Sequence, residues 1–112
     1  MDDCLFCRIV RKEIPARIVA ETEHCLAFHD ITPQAPTHVL IIPKAHVASL
    51  DGVSDPLDAG RVVLLAAELA RSLGVAESGY RVVMNTGDDG GQTVHHLHAH
   101  LLGGRSLRWP PG

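Results

Sequence analysis

Histidines alternate with small or apolar residues over residues 92–102, and this alternation constrains the fold more than any other part of the chain. Successive side chains of a β-strand point to opposite faces, so a strand would turn the alternating imidazoles to one side and leave an apolar face for a buried sheet surface. On a helix the same spacing would spread them over roughly 200°. We therefore predict a strand over residues 94–102, with His96, His98 and His100 on one face and Leu97, Ala99 and Leu101 on the other.

A row of imidazoles has several chemical uses near neutral pH. Histidine can act as a nucleophile, a general acid or base, or a metal ligand. The alternative is a fortuitous cluster on a solvated face, although the row is neither terminal nor uninterrupted, as a purification tag would be. Residues 87–93 form a glycine-rich loop just before the row, and backbone N–H groups of such a loop can approach an anion closely. Most glycine-rich loops are simple turns, but this one is a candidate phosphate-binding loop.

The histidine row and its flanking motifs resemble a known family. The pattern H-x-H-x-H followed by two apolar residues resembles the signature of the histidine triad family. Gly-Gly-Gln-Thr-Val before the row and Leu-Leu-Gly-Gly-Arg after it are similar to the Hint branch, the nucleoside phosphoramidases. The likeness covers nearly the whole chain, through residues 30–38 and the closing Trp-Pro-Pro-Gly. It implies a HIT-like fold and a homodimer in which the two sheets abut.

Composition limits the remaining classes of protein. At 112 residues and 46% hydrophobic, the chain is long enough for one domain with one core, and we assign residues 1–112 to a single HIT domain. A formal charge of −3 without a Lys/Arg cluster argues against nucleic-acid binding. No apolar run approaches the roughly 20 residues that span a membrane, and the acidic residues 1–3 do not resemble a signal peptide. We therefore expect a cytoplasmic protein, and its three cysteines argue against a disulfide framework.

Spacing and turn residues place the helices and strands along the chain. Apolar residues at helical spacing predict a short helix over residues 4–12, capped by an aspartate at position 2 or 3. A longer helix should begin at Pro56, with Asp55 as its N-cap, and stop at Gly74. Strands are predicted over residues 18–21, 25–29, 38–42, 81–84 and 94–102. Two helices over one face of a five-stranded, mainly antiparallel sheet make an α+β sandwich, which agrees with the implied fold.

The resemblance assigns roles within the histidine row. His98 would be the nucleophile that forms a transient nucleotidyl-histidine, which water later hydrolyses. His100 would contact the phosphate and assist the leaving amine, and His96 completes the catalytic row. Thr93 stands where the Hint branch usually has serine, and because it keeps the hydroxyl it is a fourth catalytic candidate.

The resemblance also implies a nucleotide site. The residues expected to line the phosphate and ribose are Asn85, Gly91, Gln92, Thr93, His98, Ala99 and His100. Asp30 and Ile31 would meet the ribose and base, since a carboxylate can accept hydrogen bonds from both ribose hydroxyls. Candidates for a purine slot are Phe6, Ile9, Ile14 and Phe28, with ordinary core packing as the alternative. The remaining histidines His24, His29 and His38 are interpreted as surface or structural, and His95 replaces a tyrosine common in the Hint branch.

Two cysteines near the N-terminus indicate a metal site. Cys4 and Cys7 have the spacing i, i+3, which brings both thiols to one side of a helix and is typical of half a zinc site. His46 and His96 are candidates for the other two ligands, as in some bacterial histidine triad proteins. The alternative is a pair of buried thiols that pack as small hydrophobes. We expect a structural zinc ion and no organic cofactor.

Together these features predict hydrolysis of the P–N bond of a purine nucleoside 5′-phosphoramidate, such as adenosine 5′-phosphoramidate or AMP-lysine. The expected ligand is a purine nucleotide similar to AMP or GMP. Three alternatives stay open: a nucleotide-binding interaction protein, a zinc-stabilised structural module, and a dinucleoside polyphosphate hydrolase as in the Fhit branch. Residues 102–105 and the Trp-Pro-Pro-Gly ending favour the Hint branch over the Fhit branch.

Overall fold

The predicted strands form one five-stranded sheet in a computed structural model, which describes residues 3–112. The helices are α1 (Leu5–Val10), α2 (Pro56–Ser72) and the single turn α3 (Gly87–Gly90), and a 3₁₀ turn covers Leu50–Gly52. The strands are β1 (Ile18–Glu21), β2 (Cys25–His29), β3 (Thr37–Pro43), β4 (Tyr80–Val83) and β5 (Ala99–Gly103). They lie in the order β1-β2-β3-β5-β4 and every neighbouring pair is antiparallel. The prediction of a five-stranded antiparallel α+β sheet is confirmed.

Strands β2 and β3 are buried along nearly their whole length, so both faces of the sheet need cover. Cys25 and Ala27 of β2 belong to the cluster that α2 covers, whereas Leu26 and Phe28 belong to the cluster that α1 covers. The prediction that both helices lie over one face is therefore wrong. Residues 25–28 include no charged or amide side chain, so the alternation that marks a solvated face is missing there.

Helix α2 is defined by its two ends, and its predicted bounds are confirmed. The side chain of Asp55 accepts a hydrogen bond from the backbone N–H of Leu57 at 3.0 Å, and Pro56 occupies the first turn. Gly74, with φ of 79°, follows the last turn and ends the helix. The residues of α2 that are buried against the sheet are Val62, Leu65, Ala66, Leu69 and Ala70. None of the helices within residues 3–112, α2 included, combines the length and apolar character needed to cross a membrane.

Helix α1 is capped by a cysteine, and not by an aspartate. Sγ of Cys4 accepts a hydrogen bond from the backbone N–H of Cys7 at 3.4 Å, which is the geometry of an N-cap. Of the two aspartates predicted as the cap, Asp3 precedes this position and Asp2 lies outside the described residues. The buried residues of the helix are Phe6, Cys7 and Ile9. The cap therefore brings both thiols to the end of α1 that lies nearest the histidine row.

The strand that carries the histidine row is shorter than predicted. Strand β5 begins at Ala99, and the chain bends at residues 94–96 before it. Its partner β3 ends at Pro43, which has no N–H to extend the ladder, and the ring of His96 binds the carbonyl oxygen of Pro43. The regular ladder of β5 therefore begins at Ala99, although the rings of His96 and His98 before it both contact Phe6 of α1.

Candidate functional site

His98 is buried just before β5, and one of its ring nitrogens is already bonded. Nδ1 of His98 lies 2.7 Å from the carbonyl oxygen of His96, so Nδ1 of the ring carries a proton and donates it. Nε2 of the neutral ring then keeps its lone pair. The edge-on ring of Phe6, at a centroid distance of 5.1 Å, packs against the imidazole in this orientation. His98 therefore has the tautomer that a nucleophile acting through Nε2 requires.

His100 lies beside His98, with ring centroids 5.1 Å apart. Its hydrogen bonds favour the other tautomer, with the proton on Nε2 instead of Nδ1. The backbone N–H of Gln34 donates to Nδ1 of His38 at 3.0 Å, so neutral His38 carries its proton on Nε2. That Nε2 donates to Nδ1 of His100 at 2.9 Å. Neutral His100 must then carry its own proton on Nε2. The two neighbouring imidazoles thus offer a lone pair and a hydrogen-bond donor.

Burial keeps His38 and His100 neutral near pH 7. Burial lowers the pKa of His100 to about 4, and the neighbouring rings of His98 and His38 act in the same direction. Burial also lowers the pKa of His38, against the opposing effect of the Asp30 carboxylate, whose Oδ2 lies 3.4 Å from Nε2 of His38. Neutral rings are what the hydrogen-bond chain requires, because each ring in it accepts at one nitrogen and donates at the other.

Asp30, His38 and His100 bring possible metal ligands within 4.8 Å of one another, but their hydrogen bonds argue against a metal there. Nε2 of His38 carries a proton and has no lone pair for a cation. Oδ1 of Asp30 accepts from the backbone N–H of Thr32 at 2.7 Å. We interpret this cluster as a hydrogen-bond relay that ends at His100.

An apolar groove of about 430 Å³ lies between α1 and the sheet. Its lining includes every predicted purine-slot residue together with the predicted ribose and base contacts: Phe6, Ile9, Ile14, Phe28, Asp30 and Ile31. The rings of Phe6 and Phe28 meet edge to face at a centroid distance of 5.5 Å. Because Phe6 also contacts His98, it joins the groove to the imidazole. A groove of this size and polarity can accept a flat apolar group with a polar edge, such as a nucleobase.

Gln92, predicted to line the phosphate, uses its side-chain amide to hold the surrounding loops. Its Nε2 donates to the carbonyl oxygens of Ala48 at 2.7 Å and Val94 at 3.2 Å. Its Oε1 accepts from the backbone N–H of Gly87 at 3.1 Å, at the start of α3. The buried Gln92 thus fixes the glycine-rich segment, and both protons of its amide already have protein partners.

The other residues predicted to line the phosphate and ribose do not all lie at one place. Nδ2 of Asn85 lies 3.9 Å from the point where a Cβ on Gly91 would stand, so these two are neighbours. Thr93 is exposed and borders a cavity of about 570 Å³ that Cys4 and His46 also border. The side chain of Ala99 is buried in the cluster under α2, so only its backbone can face a ligand.

A second cluster unites the predicted metal ligands Cys4, Cys7, His46 and His96, whose ligand atoms all lie within 4.8 Å of one another. Nδ1 of His96 lies 3.4 Å from Sγ of Cys4 and 3.5 Å from Sγ of Cys7. Nδ1 of His46 lies 3.2 Å from Nδ1 of His96 and 3.3 Å from Sγ of Cys7. A tetrahedral ion with bonds of about 2.3 Å to sulfur and about 2.0 Å to nitrogen needs nitrogen–nitrogen and nitrogen–sulfur edges of about 3.3–3.6 Å, close to these four distances. The four residues therefore fit a tetrahedral metal ion.

The ring of His96 belongs to this metal-ligand cluster and lies on the α1 side of the sheet, as predicted for all three imidazoles. The rings of His96 and His98 both contact Phe6, at centroid distances of 6.0 and 5.1 Å, and His98 contacts His100. Nε2 of His96 donates to the carbonyl oxygen of Pro43 at 2.8 Å, which leaves the Nδ1 lone pair facing the thiols. Burial lowers the pKa of His96 and raises the pKa of the Cys7 thiol. Since burial alone disfavours thiolates, a cation is the partner that would stabilise them here.

Sequence reasoning missed the part that His38 plays in this site. The residue was interpreted as surface or structural, whereas it is buried and bonded to His100. Leu40 pairs with His100 across β3 and β5, and His38 shares a strand face with Leu40. Knowing that β3 pairs with β5 would therefore have predicted the contact of His38 with His100. Of the other two histidines, His24 is exposed and His29 is half-buried in the lining of the groove.

Comparison with known proteins agrees with this architecture. The HIT domain family model matches residues 11–107. The purine nucleoside phosphoramidase of Escherichia coli is 47% identical over 108 residues, which are 95% of this chain and 91% of that protein. An uncharacterized HIT-like protein of Synechococcus elongatus is 53% identical over 113 residues, covering 99% of this chain and 98% of that one. The crystal structure of a HIT family hydrolase from Legionella pneumophila has a TM-score of 0.94 and 51% identity, covering 98% of this chain and 100% of that chain. This chain belongs to the HIT domain family.

Proposed function

We propose that the protein is a hydrolase that cleaves the P–N bond of purine nucleoside 5′-phosphoramidates. The observation that carries the proposal is the hydrogen bonding of two neighbouring imidazoles, whose neutral tautomers are complementary: that of His98 has a lone pair on Nε2 and that of His100 a proton on Nε2. Attack on phosphorus needs a lone pair and a nearby donor for the phosphate oxygens. The apolar groove beside Phe6 is suited to the base, and the E. coli relative of similar length is a purine nucleoside phosphoramidase.

In the first proposed step, Nε2 of His98 attacks phosphorus. A new bond forms between Nε2 and phosphorus, and the bond from phosphorus to the substrate nitrogen breaks. The nitrogen leaves as an amine after gaining a proton from solvent. The carbonyl oxygen of His96 accepts a hydrogen bond from Nδ1–H of His98 throughout, and this bond stabilises the positive charge that the imidazole gains.

His100 acts in this scheme as a donor to the phosphate oxygens. Burial lowers its pKa to about 4, so the ring stays neutral at pH 7 and contributes a hydrogen bond in place of a positive charge. In the second step water attacks phosphorus and the bond to Nε2 of His98 breaks, which releases the nucleoside monophosphate and a proton to solvent. Thr93, Asn85 and the backbone of Gly91 and Gln92 are proposed as further contacts of the phosphate and ribose, and Asp30 as a ribose contact.

We also propose that the cluster of Cys4, Cys7, His46 and His96 holds zinc as a structural ion. Two thiols and two imidazoles are the donor set that zinc prefers in tetrahedral sites. Bound there, the ion would join the start of α1 to the segments that follow β3 and precede β5. A homodimer and a cytoplasmic location stay predictions from the sequence.

Turnover of two nucleotides tests the proposed reaction. The purified protein is incubated separately with adenosine 5′-phosphoramidate and with a diadenosine polyphosphate, and AMP release is followed. We expect turnover of the phosphoramidate to exceed that of the polyphosphate. Preference for the polyphosphate would identify a hydrolase of the Fhit type. Binding of AMP without turnover of either compound would favour a nucleotide-binding interaction protein.

A further inference from the structure

Arg105, in the turn after β5, binds the loop that precedes β3. Its Nε and Nη2 donate to the carbonyl oxygen of Gln34 at 3.1 and 2.9 Å, and its Nη1 donates to the carbonyl oxygen of Ser106 at 3.0 Å. Close packing supports this contact, because a Cβ on Gly104 would lie 2.9 Å from Cβ of Pro36. The turn after β5 therefore lies directly against the loop that contains Gln34.

The same peptide segment is the origin of the histidine relay. While the carbonyl oxygen of Gln34 accepts from Arg105, its backbone N–H donates to Nδ1 of His38 at 3.0 Å. His38 then donates from Nε2 to Nδ1 of His100 at 2.9 Å. Hydrogen bonds and the backbone of Gln34 thus connect a guanidinium at the surface to the ring that lies beside the nucleophile His98.

Gln34 itself depends on few other contacts for its position. The residue is exposed, and its side-chain Nε2 donates to the carbonyl oxygen of Thr32 within the same loop at 3.0 Å. Within residues 3–112, Arg105 takes part in no salt bridge, so its fork is directed at main-chain carbonyls. A charged, two-pronged donor is stronger and more directional than a neutral single one.

We propose that Arg105 is a positioning residue for His100. By holding the main chain of Gln34, it keeps the N–H of Gln34 on Nδ1 of His38, which fixes the proton of His38 on Nε2. This in turn fixes the proton of His100 on its own Nε2, where the proposed function needs a donor for the phosphate. The inference deepens that proposed function, but the tautomer it concerns can be measured without any substrate.

The tautomers of His38 and His100 are read by ¹⁵N NMR of the full-length protein labelled at histidine. A protonated and an unprotonated ring nitrogen resonate far apart, so the wild type should give one unprotonated and one protonated nitrogen for each ring. Arg105→Met removes the guanidinium and keeps the aliphatic stem. We expect its His100 signals to move toward the average of the two tautomers, with the amide spectrum of the β-sheet retained.

Arg81→Met is the matched control. Arg81 and Arg105 border the same polar cavity of about 270 Å³, and among the described residues Arg81 also donates to main-chain carbonyls, those of Leu107 and Arg108. It does not reach Gln34, so its loss should leave the His100 tautomer unchanged. Arg105→Lys retains a charge but lacks the two-pronged donor, so its His100 signals should lie between those of the wild type and those of Arg105→Met. If the methionine variant does not fold, Arg105→Gln, which also lacks the guanidinium, takes its place.

Kinetics supply the second readout. Arg105→Met should lower kcat on adenosine 5′-phosphoramidate about tenfold, the size expected for loss of an ordered donor, with KM changed less than about twofold. The proposal is overturned if His100 keeps the wild-type tautomer in Arg105→Met, or if Arg81→Met changes it equally. A wild type with no turnover would overturn the proposed function alone, since the NMR result would still decide the role of Arg105.

Discussion

The ring of His98 donates its Nδ1 proton to a main-chain carbonyl, whereas the ring of His100 receives a proton at Nδ1 from His38. These partners differ although both histidines lie at the same end of the sheet. The difference arises because His98 precedes β5 and bonds to the bent segment before it, while His100 lies within β5 opposite β3. Loss of each ring should therefore have a different consequence.

We expect His98→Ala to lower turnover of adenosine 5′-phosphoramidate at least about 10³-fold, because it removes the attacking nitrogen and leaves only direct attack by water. Affinity for AMP should change far less, since the groove beside Phe6 and Asp30 is left intact. Steady-state kinetics and equilibrium binding of AMP measure the two effects. Rapid acid quench should also trap nucleotide on the wild type and none on the variant.

His100→Ala is the comparison for that experiment. It removes a donor and leaves the nucleophile, so we expect a smaller loss, about 10–10²-fold, with nucleotide still trapped on His98. If His98→Ala kept most of its activity while His96→Ala or His100→Ala lost it, the roles within the histidine row would have to be reassigned.

The pKa of His100 also makes stability depend on pH. In the folded state burial lowers this pKa to about 4, while the unfolded chain has the ordinary value near 6.5. Below pH 6.5 the unfolded state therefore binds a proton that the folded state does not. The contribution of His100 to stability is complete above pH 6.5 and is lost as the pH falls toward 4, with a slope of up to about 1.4 kcal/mol per pH unit.

Urea denaturation between pH 7.5 and 4.5 tests this linkage. We expect the free energy of unfolding of the wild type to fall more steeply with decreasing pH than that of His100→Asn. Both proteins are measured with a chelator present, so that release of a metal from the cluster of Cys4, Cys7, His46 and His96 does not contribute to the slope. Equal slopes would mean that His100 titrates normally in the folded protein.

At the scale of elements, the six-residue helix α1 is too short to be stable on its own. Its position depends on the apolar cluster around Phe6 and Ile9 and on the thiols at its start. If zinc occupies the metal-ligand cluster, the purified protein should carry about one ion per chain, and a chelator should lower the melting temperature. Elemental analysis and thermal scans measure these two quantities.

Two variants make the zinc experiment specific. Cys7→Ser should lose the ion, and a chelator should not lower its melting temperature further. Cys25→Ser should keep the ion, because Cys25 belongs to the cluster under α2 and not to the metal-ligand cluster. Absence of metal from wild-type protein after reloading with zinc would contradict the proposal.

The sequence predicted those features of the helices and strands that nearby residues determine, and missed those that depend on distant parts of the chain. The bounds of α2 were predictable because a local cap, a proline and a glycine determine them. The short extent of β5 was not, since it depends on Pro43 in a strand distant in sequence. Helix α1 covers the face of the sheet opposite to α2 because both faces of β2 are apolar. Local periodicity predicts from this only that β2 is buried, and not which helix covers which face.

The candidate site shows the same division between local and tertiary information. Residue types and the family resemblance together predicted a site at His98 and His100 and a metal site at two cysteines and two histidines, and the structure brings each set together. The part of His38 depends on strand pairing, and the bond from the His96 ring to the carbonyl oxygen of Pro43 depends on a main-chain bend. Unlike the local cap of α2, a hydrogen bond between a side chain and a main-chain atom distant in sequence, such as that from His96 to Pro43, has no signature in the sequence.

At the scale of the whole molecule, β4 is an outer strand of the sheet, with the backbone of its free edge available for pairing. Tyr80 of β4 and Trp109 near the C-terminus are exposed apolar residues, 38% and 81% accessible. The predicted homodimer, in which two sheets abut, would cover such surface. Sedimentation equilibrium at micromolar concentration should then give twice the chain mass of 12.1 kDa, and a single 12.1 kDa species would rule the dimer out.

The double use of His96 determines how much of this molecule would have to be transplanted to recreate its chemistry elsewhere. Its ring belongs to the metal-ligand cluster, while its carbonyl oxygen sets the tautomer of His98. A designer who copied only the three alternating histidines onto a foreign strand would straighten the bend and lose both bonds. The smallest portable unit that keeps both bonds of His96 is a three-piece graft: residues 4–7, residues 43–46 and residues 94–100. The tautomer of His100 requires residues 34–38 as well.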